Sequence, residues 1–263
     1  MRLAEALAEA VWPRRVICLC CQRPSRGGVV CDDCMEKLEA VRVEGPVCDI
    51  CGHPMEDGGC VFCDRTGVAT LRSVWTHRDG CRALVHALKY DGIADAAPVL
   101  ADGIAALAMT LNLPPDTVIT WPTMPRRRRL ERGIDHGMLL ARAVGERLGF
   151  PARQLLRRSE RIAVSTQVGK GRQERLTRLQ GAFSCREVWR GPVLLIDDVM
   201  TTSATATVCA ECLLDAGASA VTVITAAQAE ARSRKNGQEE RDNAGEKAAG
   251  MAGLGADGDE RRA

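Results

Sequence analysis

The sequence predicts an α/β protein: a mainly parallel sheet flanked by helices, preceded by a small cysteine-rich module. Three observations carry this. Nine of the 13 cysteines crowd into residues 18–63. Over residues 67–226, short apolar runs of strand length alternate with longer stretches of helical period, the pattern of a parallel sheet with crossover helices. After 226 the chain changes character. Fifteen of its last 37 residues are charged, and only Met251 and Leu254 are large and apolar, so no core can form there. The expected divisions are residues 1–66, an N-terminal helix and metal-binding module; 67–226, the α/β domain; and 227–263, a disordered tail.

Composition narrows the function. The 263 residues carry 46% hydrophobic and 27% charged side chains, an ordinary globular balance. No apolar run approaches the ~18 residues that span a bilayer. Glu5 and Glu9 interrupt the stretch where a secretory signal needs an apolar segment, so a cytoplasmic location is expected. A net charge of +2 excludes a chain that is basic throughout, and any nucleic-acid contact must come from a local patch. With 3% aromatic residues, stacking platforms for bases are scarce.

Eight of the nine clustered cysteines form CxxC pairs: Cys18/Cys21, Cys31/Cys34, Cys48/Cys51 and Cys60/Cys63. A CxxC turn points two thiolates at one ion, and two turns complete a tetrahedral S₄ zinc site. Two structural Zn²⁺ ions are therefore expected. The simplest pairing is sequential, and an interleaved one satisfies the same spacing. Gly52, after the second cysteine of its pair, suits a turn that needs positive φ. Cys20 is left over. An odd total of cysteines argues against a disulfide scaffold.

The elements follow in order. Leu3, Leu7 and Val11 form one face of a short helix over 2–11, closed by Pro13. Residues 16–66 read as loop-rich. Residues 68–77 read as a strand. Cys81, Leu84, Val85 and Leu88 share one face of a helix over 79–90, stopped at Gly92. A very apolar helix covers 94–111, and Val118–Trp121 is a short buried strand ended by Pro122. Arg126–Arg129 lie in the following loop, before a helix over about 132–148. Residues 157–180 are basic and turn-rich; 153–178 hold eight Lys/Arg against two Asp/Glu. Val193–Ile196 is a fully apolar strand, followed by a helix at 203–216 and a strand at 220–225. Cys209 and Cys212, one turn apart in that last helix, read as core thiols.

The strand Val193–Ile196 runs into Asp197, Asp198, Val199, Met200, Thr201, Thr202, Ser203, Ala204 and Thr205. Two carboxylates at the carboxyl end of a buried strand are costly to place without a role, and that is where open α/β sheets bind ligands. The small hydroxyl residues then open a helix, whose N–H groups and dipole cradle a phosphate. Acids beside a phosphate cradle fit a sugar phosphate: the carboxylates accept from ribose hydroxyls or help hold Mg²⁺.

The Asp-Asp-Val-x-Thr-Thr-x-Ala-Thr stretch resembles the motif by which type I phosphoribosyltransferases bind phosphoribosyl pyrophosphate (PRPP). Together with the CxxC module, the helix ending Leu88-Lys89-Tyr90-x-Gly92, and Arg128-x-x-x-Arg132-Gly133, the chain over about 12–226 resembles the ComF family, which includes GntX-like proteins and is linked to DNA uptake in natural competence. The resemblance implies a type I phosphoribosyltransferase-like domain behind a double zinc ribbon. Asp197 and Asp198 would face the ribose hydroxyls as the catalytic acids, and Thr201, Thr202, Ser203, Ala204 and Thr205 would hold the 5′-phosphate. Arg128, Arg132 and Lys89 would contact the pyrophosphate. Residues 158–180, with Gln167 and Arg175 at family positions, would be the loop that closes over PRPP, and Mg²⁺ would accompany it.

Two departures from the family bear on that site. Ser203 stands where the family normally has glycine, adding a Cβ where backbone approaches phosphate. The family's Arg-Gly-Phe-Asn-Gln is here Arg132-Gly133-Ile134-Asp135-His136, and an anionic Asp135 repels pyrophosphate unless it is paired or turned away. The expected function is PRPP or ribose 5-phosphate binding with transfer of phosphoribosyl to an unknown acceptor. The alternative is a non-catalytic competence factor that binds single-stranded DNA or docks a DNA-uptake helicase.

Overall fold

A computed structural model describes residues 16–25, 28–48, 50–55, 60, 70–159, 179, 181–201 and 203–229. The expected helix at 2–11, Cys63, most of the 158–180 segment with Gln167 and Arg175, Thr202, and the charged tail from 230 onward lie outside these residues.

In chain order the elements are β1 (Val16–Ile17), β2 (Pro24–Ser25), α1 (Asp32–Glu39), β3 (Thr70–Thr76), α2 (Asp79–Lys89), α3 (Ala96–Met109), β4 (Val118–Thr120), α4 (Arg126–Arg132), α5 (His136–Leu148), β5 (Leu156–Arg158), β6 (Phe183–Cys185), β7 (Pro192–Met200), α6 (Ala204–Asp215) and β8 (Ala220–Gln228). β3, β8, β7 and β4 form a parallel sheet in that order. β1 with β2, and β5 with β6, make small antiparallel ribbons.

The sheet is buried on both faces, which is why Val193–Ile196 reads as an unbroken apolar run and Val223–Ala227 is buried throughout, its one polar residue Thr225 included. One core is built by α2, α3 and α5; Leu84, Leu88, Leu100, Ile104, Leu140 and Val144 lie within it. The other is built by α6 and the β5–β6 ribbon, with Leu156, Phe183, Cys209 and Leu213. Gly103 lets α3 approach the sheet: a Cβ there would sit 2.1 Å from the Trp75 ring, itself 1% exposed. Any larger residue would have to displace the ring.

Several elements differ from the sequence expectation. Arg126–Arg129 are helical, not looped, with Gly133 at φ +71° closing α4 in the left-handed conformation that glycine adopts without a Cβ penalty. β7 does not end before the acids but runs through Asp197 and Asp198 to Met200. β8 continues to Gln228, past the boundary expected at 226. Within the cysteine module, expected to be loop-rich, α1 forms with Asp32 and Asp33 in its first turn, which complements the helix dipole.

The cysteine module is continuous with the sheet. Val43 N donates to Val74 O and Thr76 N to Val41 O, both at 2.8 Å, so residues 41–43 pair along the outer edge of β3. Cys18, Cys34, Leu38 and Val41 join the same core as Trp75, Cys81 and Leu84. Gly80 at the start of α2 brings the two parts close, its Cβ position lying 3.4 Å from Cys34 O. Gly52 has φ +69°, as its place after a CxxC turn predicts, and a side chain there would strike Leu71 O at 2.7 Å. A module too small to bury much surface alone thus completes its core on the larger domain and covers a sheet edge.

Candidate functional site

The sulfurs of Cys18, Cys21, Cys31 and Cys34 lie within 4.8 Å of one another, as do those of Cys48, Cys51 and Cys60. The first set realises the sequential pairing. Its donors fit a tetrahedral zinc, and Cys31 N donates to Cys18 Sγ at 3.4 Å, an outer contact that steadies a thiolate ligand. The second set offers three thiols, and Cys63 falls outside the described residues. Cys20 belongs to neither; its thiol faces Gly80 O.

A cleft of about 550 Å³ opens at the carboxyl edge of the parallel sheet. Segments following all four strands reach it: His77 after β3, Pro122–Pro125 after β4, Thr201 after β7 and Ala229 after β8. This is where ligands bind in open α/β sheets. Asp197, Asp198, Thr201 and Thr205 line it, with Lys89, Arg128 and Arg132. A smaller hollow of about 20 Å³ lies between Asp197 and the loop residues Thr201, Ser203, Ala204 and Thr205.

Asp198 is 4% exposed. Burial alone would raise its pKa, but the opposing charge of Lys89 and the contacts of His136 outweigh it and hold the carboxyl well below the usual range. Lys89 Nζ donates to Asp198 Oδ1 at 2.8 Å, and His136 Nε2 lies 3.0 Å from Oδ2, at ion-pair distance but off the line of a hydrogen bond. The Lys89 ammonium is thus held by the acid pair. Asp197 differs. Burial and the neighbouring Asp198 charge push its pKa up to about 7, against the pull of Lys89, while its Oδ1 accepts from Asp198 N at 2.9 Å. Two adjacent carboxyls therefore ionise in separate pH ranges.

His136 was not singled out in the sequence as a site residue. It begins α5, and Asp135 before it caps that helix, its Oδ1 accepting from Met138 N at 3.1 Å. The cap turns Asp135 away from the cleft, which removes the repulsion its position had implied. His136 Nδ1 lies 3.4 Å from Arg132 Nη1. A guanidinium can only donate, so this contact favours a ring whose proton sits on Nε2, facing Asp198. Replacing His136 with Ala should destabilise the protein by about 1–3 kcal/mol, the cost of under-satisfying a buried carboxylate. His136→Gln, which keeps a donor, should recover most of that. Denaturant unfolding of both variants measures it, and equal losses would show that packing, not donation, is what matters.

Arg158 was also missed, because nothing in sequence distinguishes it among the basic residues around it. It lines the cleft and stacks on Phe183 at 5.2 Å. Its Nε is buried without a hydrogen-bond partner among the described residues, and burial together with the nearby Arg128 charge lowers its pKa. A buried, unpartnered guanidinium nitrogen beside a second guanidinium is fitted to an anion. Arg132 reaches the rim, its guanidinium 4.9 Å from the Tyr90 ring. Arg127 pairs with Glu131 at the surface.

Ser203 sits at φ +57°, in the left-handed region where the family's glycine would rest without strain. A non-glycine residue there costs about 1–2 kcal/mol. Ser203→Gly should therefore raise stability by up to about 1 kcal/mol once the greater freedom of the unfolded glycine is subtracted. Thermal unfolding reads this as a rise of about 2–4 °C; an unchanged or lower midpoint would mean that the serine is unstrained.

An acid pair and a hydroxyl-rich loop at the carboxyl edge of a parallel sheet, behind paired CxxC clusters, define a phosphoribosyltransferase-like protein with a zinc-ribbon module. Residues 7–67 match the double zinc ribbon domain. The chain is 27% identical over 207 residues to the competence protein ComFC of Bacillus subtilis (strain 168), covering 73% of this chain and 80% of that protein. Both likenesses agree with the resemblance to the ComF family. Among solved structures, it is similar to the glutamine PRPP amidotransferase of B. subtilis (20% identity, TM-score 0.34), over 51% of this chain and only 27% of that one. It is also similar to the adenine phosphoribosyltransferase of Leishmania tarentolae (15% identity, TM-score 0.31), over 51% and 71% of the two chains. No helix among the described residues is long and apolar enough to cross a membrane.

Proposed function

We propose that this protein binds PRPP, or another ligand carrying ribose 5-phosphate, together with Mg²⁺, and that the cleft supports transfer of the phosphoribosyl group to an acceptor. The observation that carries this is the acid pair fixed at the mouth of an arginine-lined cleft, next to the loop that opens α6. Asp198, held ionised by Lys89 and His136, accepts from a ribose hydroxyl. Asp197 accepts from the second hydroxyl once deprotonated and is the carboxylate left to hold Mg²⁺, which when bound would neutralise pyrophosphate charge. Thr201, Ser203, Ala204 and Thr205 surround the 5′-phosphate with N–H groups and hydroxyls at a helix N-terminus. Arg128, Arg132 and Arg158 face the pyrophosphate.

Displacement at ribose C1 with pyrophosphate leaving passes through an oxocarbenium-like state. The protein's part is to stabilise the departing charge with guanidinium groups placed in advance and to keep water out. No covalent nucleophile is needed. Calorimetric titration with Mg²⁺-PRPP tests the reading: binding should be measurable at millimolar ligand or below, and its absence there, for PRPP and ribose 5-phosphate alike, would leave the fold as a scaffold only.

A second reading rests on the exposed guanidinium groups of Arg126, Arg127 and Arg129 on α4, beside the cleft. In it the protein is a cytoplasmic competence factor that binds single-stranded DNA or docks a DNA-uptake helicase. Affinity for single-stranded DNA should then fall steeply with salt, and replacing Arg127–Arg129 with alanine should flatten the slope by about one unit for each phosphate these arginines neutralise. An unchanged slope would place any DNA binding elsewhere.

A further inference from the structure

The expectation that Cys209 and Cys212 are both core thiols holds for the first only. Cys209 is 0% exposed. Cys212, one turn on, is partly exposed and looks away from the sheet toward β6, where it meets Cys185, also partly exposed. Their sulfurs lie 3.4 Å apart, and Cys185 Sγ also reaches Cys212 O at 3.2 Å. The two residues are 27 positions apart and belong to different elements, so the encounter is tertiary. Among the described residues, neither belongs to a cysteine cluster with metal-site geometry.

We infer that Cys185 and Cys212 form a reversible disulfide site bridging the β5–β6 ribbon and α6. The co-reactant is a small disulfide such as glutathione disulfide. One protein thiolate attacks a sulfur of that disulfide, breaking its S–S bond and releasing one glutathione thiolate. The second protein thiolate then attacks the protein-bound sulfur of the mixed disulfide and releases the other. In total two protein thiols lose two protons and two electrons, and one glutathione disulfide becomes two glutathiones. Burial, first, and the hydrogen bond shared with Cys185 push the Cys212 thiol up to about 12, so at neutral pH Cys212 rests as a thiol.

The position gives the bridge a consequence. Cys185 lies two residues from Phe183, on which the cleft residue Arg158 stacks, and Cys212 lies on the helix that Ser203 and Ala204 open. A covalent bond between them fixes two walls of the cleft from behind. This does not depend on what the cleft binds.

The test uses the full zinc-loaded chain, oxidised with glutathione disulfide while folded, then alkylated and digested. The expected product is a Cys185–Cys212 linked peptide, two hydrogens lighter than the separate peptides and lost on treatment with dithiothreitol. Closing a loop of this length should raise the thermal midpoint by about 5–10 °C. Cys185→Ser, which keeps the zinc ligands, should show neither the link nor the shift. Recovery of Cys185 and Cys212 as alkylated thiols or as separate glutathione adducts would overturn the proposal. So would a midpoint shift that Cys185→Ser shares with the wild type, since that would come from the zinc-ligand thiols.

Discussion

Stripping zinc, or replacing Cys34 with Ser, should destabilise the whole α/β domain and not merely the cysteine module. The cause is the shared core. Cys18, Cys34, Leu38 and Val41 are packed with Trp75, Cys81 and Leu84, and residues 41–43 are hydrogen-bonded to the edge of β3. Metal binding by such a module is folding free energy, on the order of 10 kcal/mol in isolated zinc domains. Losing one site should lower stability by at least about 5 kcal/mol, enough to unfold a protein of ordinary stability. Trp75, fully buried and beneath Arg42 at 5.5 Å, reports the event by fluorescence. Metal analysis should give two Zn²⁺ for the wild type, and Cys20→Ser should leave that number unchanged. An unfolding midpoint that does not move on chelation would mean that the module is a passenger on the sheet.

Replacing Asp197 and Asp198 together should weaken Mg²⁺-PRPP or ribose 5-phosphate binding at least ~100-fold. Each charge-assisted bond to a hydroxyl is worth ~1.5–3 kcal/mol, and 1.4 kcal/mol is tenfold. Asparagine is the better probe at 198, because alanine would leave Lys89 and His136 facing an empty wall. The two acids should separate by pH. Asp198 is ionised throughout the useful range, whereas Asp197 titrates at about 7. The deprotonated Asp197 accepts from a hydroxyl more strongly than the neutral acid and alone offers Mg²⁺ a charged ligand, so affinity should rise as pH increases through about 7 and fall by up to tenfold per pH unit below it. Asp197→Asn should flatten that rise. A pH profile unchanged by the substitution would assign the titration to another group.

What the sequence determined by itself was whatever depends on local pattern. The four CxxC turns named their own metal, because ligand spacing is a property of the turn. The apolar run at 193–196, the β-branched strand at 220–225 and the helical face Cys81–Leu84–Val85–Leu88 placed the sheet and its cover, because side-chain period follows backbone geometry. The acid pair and hydroxyl loop pointed to the sheet edge where the cleft opens, because carboxylates after a buried strand are costly without a role. Ser203 was legible as an anomaly, and its left-handed φ gives the physical reason a glycine is at home there.

Only the tertiary structure decided which groups meet. Lys89, on α2, and His136, on α5, are 109 and 62 positions from Asp198, and no spacing rule relates them to it. Asp135 looked hostile to a phosphate until its role as a helix cap turned it away. Arg158 was one cation among many until burial left its Nε without a partner among the described residues. Cys212 looked like a core thiol because cysteine is so often buried, yet its sulfur meets Cys185 on β6. The division has one cause. Period, turn and ligand spacing are written within a few residues of chain, whereas the charge state and partner of a side chain depend on what the fold brings to it from tens of residues away.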